Sequence, residues 1–313
     1  MKLTHLRDLV TVAERGGLRR AARHLGLAQP AITRSIRELE HELGATLFER
    51  NTTGMVLTPI GEAFHLRTAA IQRELQRACE EVKQLSGVAS GTVAVGLSTA
   101  PHVALLPKVL EPFRKRYPEV LLEIKEGLFP SMASHIREGS MDFYVGAVCE
   151  NTMRNEINSV SEFVTEKLFE NNRLVMARPG HPLMKARSLA ELTGARWVST
   201  SVTGDHEAEL TPVFEKFGLP QPKIAVKAHS FLGMITAASS ADLLAMFPQQ
   251  WLGLARSTGL LAHIPLRERL EAPPILMVTR SSLPLTPAAE FLADLMRRAA
   301  LNRSSSEDSF MLA

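Results

Sequence analysis

Leucine, valine and alanine recur at helical spacing from the start of the chain. Leu3, Leu6, Leu9, Val10 and Ala13 predict a first helix, ended by the Gly16-Gly17 pair. Leu18, Ala21, Ala22 and Leu25 share one face of a second, short helix, and Gly26 supplies the turn after it. A third helix begins at Gln29-Pro30, with proline in the first turn where a missing N–H costs nothing. It runs to about Leu43, with Ala31, Ile32, Ile36, Leu39 and Leu43 expected inward and Gly44 ending it. Two helices joined by a glycine turn make a helix-turn-helix. Leu47-Phe48 then packs back on the core, and Arg50 to Leu57 reads as two short strands around a tight turn, a wing.

From Pro59 to about Leu85 the pattern lengthens. Phe64, Ile71, Ala78 and Leu85 are seven apart, and Leu75 and Val82 fill the alternate positions of a three-four repeat. Gln72, Arg73, Glu74, Arg77, Glu80, Glu81 and Lys83 occupy the other faces. The stripe suits a dimerisation helix; packing on its own domain is the bland alternative. At 1.5 Å per residue such a helix spans about 40 Å, comparable to the spacing of half-sites one DNA turn apart. Ser86 to Gly91 is the natural hinge after it.

Beyond Gly91 strands alternate with helices. Strands are expected at Thr92 to Leu97, Val120 to Glu126, Asp142 to Val148, Asn172 to Ala177, Arg196 to Thr200, Lys223 to Ala228, Asp242 to Phe247 and Ile275 to Thr279. Helices are expected near Ala100 to Tyr117, Ser131 to Arg137, Ser188 to Leu192, Glu207 to Phe217, Phe231 to Ser239 and Thr286 to Leu301. This alternation implies largely parallel sheets with helices on both faces, arranged as two lobes joined by two crossings. Open α/β sheets bind ligands at the carboxyl ends of their strands, so a cleft lies between the lobes.

Charge changes the picture through its distribution. The 313 residues carry only +3 overall, yet the first 37 hold eight basic residues against Asp8 and Glu14, a net +6, and everything after them sums to −3. Arg19, Arg20, Arg34, Arg37 and their neighbours form the electrostatic footprint of a DNA-contacting module, or else a solvated helical surface. In a winged helix-turn-helix the start of the recognition helix enters the major groove while the wing and second helix grip phosphates. The candidate DNA contacts are therefore Arg19, Arg20, Gln29, Pro30, Ala31, Thr33, Arg34, Arg37, Arg50, Thr52 and Thr53.

The residues Ala21-Ala22, Leu25, Gln29-Pro30-Ala31-Ile32-Thr33-Arg34, Ile36, Leu39-Glu40, Leu43-Gly44, Leu47-Phe48, Arg50, Leu57-Thr58 and Gly61 resemble the N-terminal signature of LysR-type transcriptional regulators. The layout of the rest of the chain resembles the family too. Two positions depart from it: Ala28 stands where the family usually has a serine that looks like an N-cap, and Arg19 where it commonly has Ser or Thr. The resemblance implies a winged helix-turn-helix at 1-59, a linker helix at 60-89 that pairs two chains, and a two-lobed, periplasmic-binding-protein-like α/β effector domain at 90-303. Lobe I is expected at about 90-161 and 267-303, lobe II at about 162-266, and 304-313 as a flexible tail. It further implies operator DNA and RNA polymerase as partners, a dimer or tetramer, and a small-molecule effector.

Strand ends and helix starts nominate the effector site. Ser98 and Thr99 follow the first strand, Pro130-Ser131 and Ser230 start helices, and Ser199, Thr200 and Ser201 end a strand of lobe II. Gly146, Ala147 and Phe247 lie at strand ends, His102 and His229 are candidate charge partners, and Phe129 and Phe231 supply apolar walls. Each hydroxyl alone is more often a structural cap. The stretches Glu126 to Pro130, Leu219 to Lys223 and His229 to Phe231 resemble regulators of aromatic acid or toluenesulfonate degradation, implying an aromatic carboxylate or sulfonate as effector. A non-aromatic metabolite or redox state is the alternative.

Other classes fit less well. H-E-x-x-H, G-x-S-x-G and phosphate-cradling glycine loops are missing, and Asp205-His206-Glu207 reads as a helix entrance, so no enzyme, cofactor or metal site is expected. A solute-binding transport protein would share the two-lobed fold. The charged N-terminus without an apolar core region and the basic helix-turn-helix point instead to a cytoplasmic protein off the membrane. Cys79 and Cys149 are too few and too far apart for a disulfide framework.

Overall fold

A computed structural model describes residues 1–51, 54–148, 162–200 and 210–307. The chain divides into two compact units near Ser86-Gly87.

In the first unit, α1 (Leu3–Arg15), α2 (Leu18–Leu25) and α3 (Gln29–Leu43) precede the hairpin β1 (Phe48–Asn51) and β2 (Gly54–Leu57), and the long helix α4 (Pro59–Leu85) follows. The core joins Leu6, Leu9 and Val12 of α1, Ala21 and Ala22 of α2, Ile32, Ile36 and Leu39 of α3, and Leu47 and Phe48. Three left-handed glycines, Gly16, Gly26 and Gly44, cap the three helices. Ala31 and Leu43 were expected inward but are exposed, as is Leu3 at the start of α1. Each lies just off the buried arc of its helix.

Much of the family-like pattern is structural. Glu40 Oε1 accepts from the backbone N–H of Leu47 at 2.7 Å and of Phe48 at 3.2 Å, tying α3 to the wing. Thr58 caps α4 by accepting from Gly61 N–H at 3.0 Å. A Cβ on Gly61 would fall 2.0 Å from the Leu47 carbonyl oxygen, so this position must be glycine for the first turn of α4 to lie on that backbone. Ala28 precedes α3 without a side-chain cap, the local cost of the missing hydroxyl.

In the second unit, β3 (Ser90–Leu97), α5 (Thr99–Ala104), α6 (Leu106–Arg116), β4 (Glu119–Glu126), α7 (Phe129–Arg137) and β5 (Phe143–Ala147) build the first lobe. Then come β6 (Phe163–Ala177), β7 (Arg196–Thr200), α8 (Thr211–Lys216), β8 (Lys223–Ala228), α9 (Phe231–Ser240), β9 (Ala245–Pro248), α10 (Trp251–Thr258), β10 (Ala262–Ile264), β11 (Leu270–Arg280) and α11 (Pro287–Glu307). Strands β4, β3 and β5 are parallel, and β11 joins β5 antiparallel. In the second lobe β7 and β8 are parallel and β9 pairs with β6.

Two strands run through both lobes. The start of β6, from Phe163, pairs with the end of β11, and its later part pairs with Leu270 to Ala272. The register shifts between Ala272 and Ile275, where Pro273-Pro274 cannot donate to the ladder. The crossings thus lie near residues 169–172 and 272–275 rather than near 162 and 267. Phe163 packs with Phe129, Leu276 and Val278 in the first lobe, and Leu270 in the core of the second.

Other elements also differ from the sequence expectation. The helix expected across Ala100 to Tyr117 breaks at Leu105, because Pro107 cannot donate to the preceding turn. Helix α10 and strand β10 were not foreseen. The Ser188 to Leu192 segment is a 3₁₀ turn at Leu189–Leu192. Helix α11 continues to Glu307, past the start of the expected tail.

Candidate nucleic-acid interface and ligand cleft

The first unit presents two adjoining grooves. Gln29, Pro30, Thr33, Arg34 and Arg37 line one, with His5, Glu38, His41 and Glu42. Arg19, Arg20, Gln29 and Arg50 line the other, between α2, the wing and the start of α3. Gln29 belongs to both, so the N-terminal turns of α3 adjoin a basic groove with Arg19, Arg20 and Arg50 and one of mixed charge, where Arg34 and Arg37 stand beside Glu38 and Glu42. Ala31 is exposed on α3 but lines neither groove. Thr52 and Thr53 lie outside the described residues.

Local bonds hold several of these side chains. Arg20 Nη2 donates to the Gly16 carbonyl at 2.6 Å, and Thr33 Oγ1 to the Gln29 carbonyl at 3.0 Å. Arg34 Nε donates to Glu38 Oε1 at 2.6 Å. This bond holds the Glu38 carboxyl below its ordinary pKa. On α4 the three-four stripe packs on the first unit's core at Phe64 but is uncovered further along in the single chain: Ile71, Leu75, Val82 and Leu85 are 52%, 46%, 63% and 72% exposed.

In the second unit a small cavity of about 70 Å³ sits at the carboxyl ends of strands from both lobes. Ser98, Thr99 and Ala147 face it from the first lobe, and Thr200 and Phe231 from the second. The crossing strands add Asn171, Arg173, Ala272 and Pro273. Arg173 is the one charged side chain among the described lining residues. Ser98 Oγ accepts from the Ala147 N–H at 3.3 Å, fixing one edge of the cleft. Behind Phe231, Trp251 lies at a ring separation of 4.6 Å and Phe247 at 5.4 Å.

Other nominated residues sit elsewhere. Phe129 is fully buried beneath α7, 5.6 Å from both Tyr144 and Phe163, so it belongs to the core rather than the cleft wall. Phe247 is likewise fully buried behind Phe231. Ser230 accepts from the Gly233 N–H at 3.1 Å and caps α9, while Ser131 donates to the Leu128 carbonyl at 2.9 Å and closes its own turn next to Pro130. His102 Nδ1 donates to the Ser98 carbonyl at 2.9 Å, and Ser199 is buried within its strand. Gly146 packs so tightly that a Cβ would lie 2.1 Å from the Tyr144 hydroxyl. His229 is exposed off the cavity, and Ser201 lies outside the described residues. Sequence reasoning missed Asn171, Arg173, Ala272 and Pro273 because it placed the crossings near residues 162 and 267 and nominated only strand ends and helix starts.

Residues 3–62 match the family model for bacterial regulatory helix-turn-helix proteins of the lysR family. Residues 86–301 match that of the LysR substrate binding domain. The chain belongs to the LysR family of transcriptional regulators. Among LysR relatives it is 26% identical over 302 residues to the HTH-type transcriptional regulator GbpR of Azospirillum brasilense, covering 96% of this chain and 86% of that one. It is 27% identical over 303 residues to the SDS degradation transcriptional activation protein of a Pseudomonas species, covering 94% and 95%. The fold is that of full-length CbnR complexed with its target DNA, with a TM-score of 0.70 at 18% identity over 96% of this chain and 100% of that one. Like its LysR relatives, the protein is a DNA-binding regulator and not an enzyme. Among the described residues no helix is long and apolar enough to cross a membrane.

Proposed function

We propose that this LysR regulator senses a small anionic aromatic effector in the inter-lobe cavity and thereby controls a catabolic operon in the cytoplasm. The observation that carries the reading is the chemistry of the cavity wall. A guanidinium, Arg173, shares it with the hydroxyls of Ser98, Thr99 and Thr200 and with the ring of Phe231. Arginine offers a planar fork that matches a carboxylate or sulfonate, hydroxyls add donors, and an aromatic face suits a ring.

At about 70 Å³ the cavity is far below the roughly 300–1,000 Å³ of small-molecule sites. Effector entry therefore parts the lobes about the two crossings. The exposed stripe on α4 supports a homodimer paired through that helix, assembled into a tetramer that contacts operator DNA and RNA polymerase. A ligand switches such an assembly only if it binds two arrangements with different affinity.

The name of the Pseudomonas relative supports a second reading, an alkyl sulfate in place of an aryl acid. Both share the anionic head and differ in the tail. Thermal unfolding across benzoates, arenesulfonates and alkyl sulfates separates them, since saturating ligand raises the midpoint by several degrees. Arg173→Ala is expected to abolish that rise for every anion, and Phe231→Ala to weaken the aryl compounds most. If no anion stabilises the native protein, the reading is wrong. Footprinting with and without the stabilising compound then tests whether operator contacts move.

A further inference from the structure

We propose that Glu38 positions Arg34 as a guanine-reading side chain, an inference resting on the reading of α3 as the helix that enters the major groove. Arg34 is 82% exposed, and an arginine so placed would ordinarily sample many rotamers. Its Nε instead donates to Glu38 Oε1 at 2.6 Å, one turn further along α3. The carboxylate also faces a neighbouring helix, its second oxygen lying 3.5 Å from Nε2 of His5, a buried residue of α1. An exposed ion pair is worth little by itself. Here the buried ring of His5 on α1 limits where the carboxylate can swing.

The geometry decides which donors remain. With Nε held by Glu38, the two terminal amino groups of Arg34 make no hydrogen bond among the described residues. Those two groups carry the parallel donors that fit O6 and N7 of guanine. Pairing also keeps a carboxylate from facing phosphates uncompensated in a groove lined by Gln29, Arg34 and Arg37. Glu38 is thus a positioning residue, and it sets specificity in two ways. It aims Arg34 at a base, and it weakens indiscriminate attraction to phosphate.

These two roles predict opposite responses, which a simple helix-stabilising pair would not give. The test uses the full-length protein and a duplex selected by it from a random library, compared with a scrambled duplex at two salt concentrations. Glu38→Ala is expected to lower affinity for the selected duplex about 10-fold while leaving or raising affinity for the scrambled one. Repeating the selection with Glu38→Ala should blur the same base position that Arg34→Ala erases. The Arg34→Ala/Glu38→Ala pair should bind the selected duplex no worse than Arg34→Ala alone. Glu38→Gln keeps an acceptor oxygen and should recover part of the discrimination. Equal losses on both duplexes, or additive losses in the double variant, overturn the proposal. If Arg34→Ala leaves operator affinity unchanged, the reading of α3 fails and the proposal with it; if Arg34 matters and Glu38 does not, only the proposal fails.

Discussion

On the first unit the described side chains proposed to contact DNA fall between residues 19 and 50 and stand outward from a compact core. The cavity of the second unit instead draws on Ser98, Ala147, Arg173, Thr200, Phe231 and Pro273, spread along most of the effector domain. One site is a surface that a few consecutive turns of helix define. The other exists only where two lobes and two crossing strands meet. Consequently the signature residues of the first unit are mostly those that build it, such as Glu40, Thr58 and Gly61, while its proposed DNA contacts ride on that frame. In the cleft the same residue can serve both purposes: Ser98 fixes an edge and faces the cavity.

The sharpest way to break this comparison is at Gly61. If the frame of the first unit is as tight as its backbone contact indicates, Gly61→Ala should cost about 2–3 kcal/mol of that unit's stability. Thermal unfolding would show the loss, and ligand stabilisation of the second unit should persist. A neutral Gly61→Ala would mean that the start of α4 is free to shift.

Next, Glu40→Ala removes a charged acceptor from two backbone N–H groups and should cost about 2 kcal/mol, read by denaturant midpoint. DNA affinity should fall only in proportion to the unfolded fraction, since Glu40 lines neither groove.

Capping offers a smaller, two-sided test. Ala28→Ser should stabilise the first unit by about 1 kcal/mol, because the N-terminus of α3 has no side-chain cap. Ser230→Ala should cost the second lobe a similar amount, about 1 kcal/mol, and leave induction intact, because that hydroxyl is spent on Gly233 N–H. Loss of induction without loss of stability would return Ser230 to the effector site.

The smallest expected effect is a pH dependence of the second lobe. Burial lowers the pKa of His181 and of His263 below the ordinary imidazole value. A depressed folded pKa means that the neutral form is favoured in the fold. The contribution is therefore complete above the unfolded value of about 6.5 and is lost as pH falls through the lower folded values. The thermal midpoint should drop on mild acidification, and His263→Gln should flatten the slope.

Legibility followed the range of the interactions involved. Helices α2 and α3 end where their glycines allow, and α4 spans the expected Pro59 to Leu85, because helical periodicity and caps are local signals. The long strand β6 was read only from Asn172, because its earlier part, Phe163 to Phe169, has the adjacent charges Glu166 and Lys167 in its middle and shows no strand-like alternation until β11 is placed beside it. Phe129 looked like a cleft wall and Phe247 like a cleft residue at a strand end, yet both serve cores. The sense of a side chain at a strand end depends on what packs behind it.

By itself, the sequence determined the winged helix-turn-helix, the apolar three-four stripe of α4, the basic charge of the first 37 residues and the two-lobed α/β character of the remainder. Each follows from spacing within a few turns of chain. Tertiary structure alone decided that Arg173, Asn171 and Pro273 meet Ser98 and Phe231, and that Glu38 stands between Arg34 and His5. Apart from Arg34 and Glu38, one turn apart on α3, these groups are distant along the chain, and only the folding of strands and helices against one another brings them together.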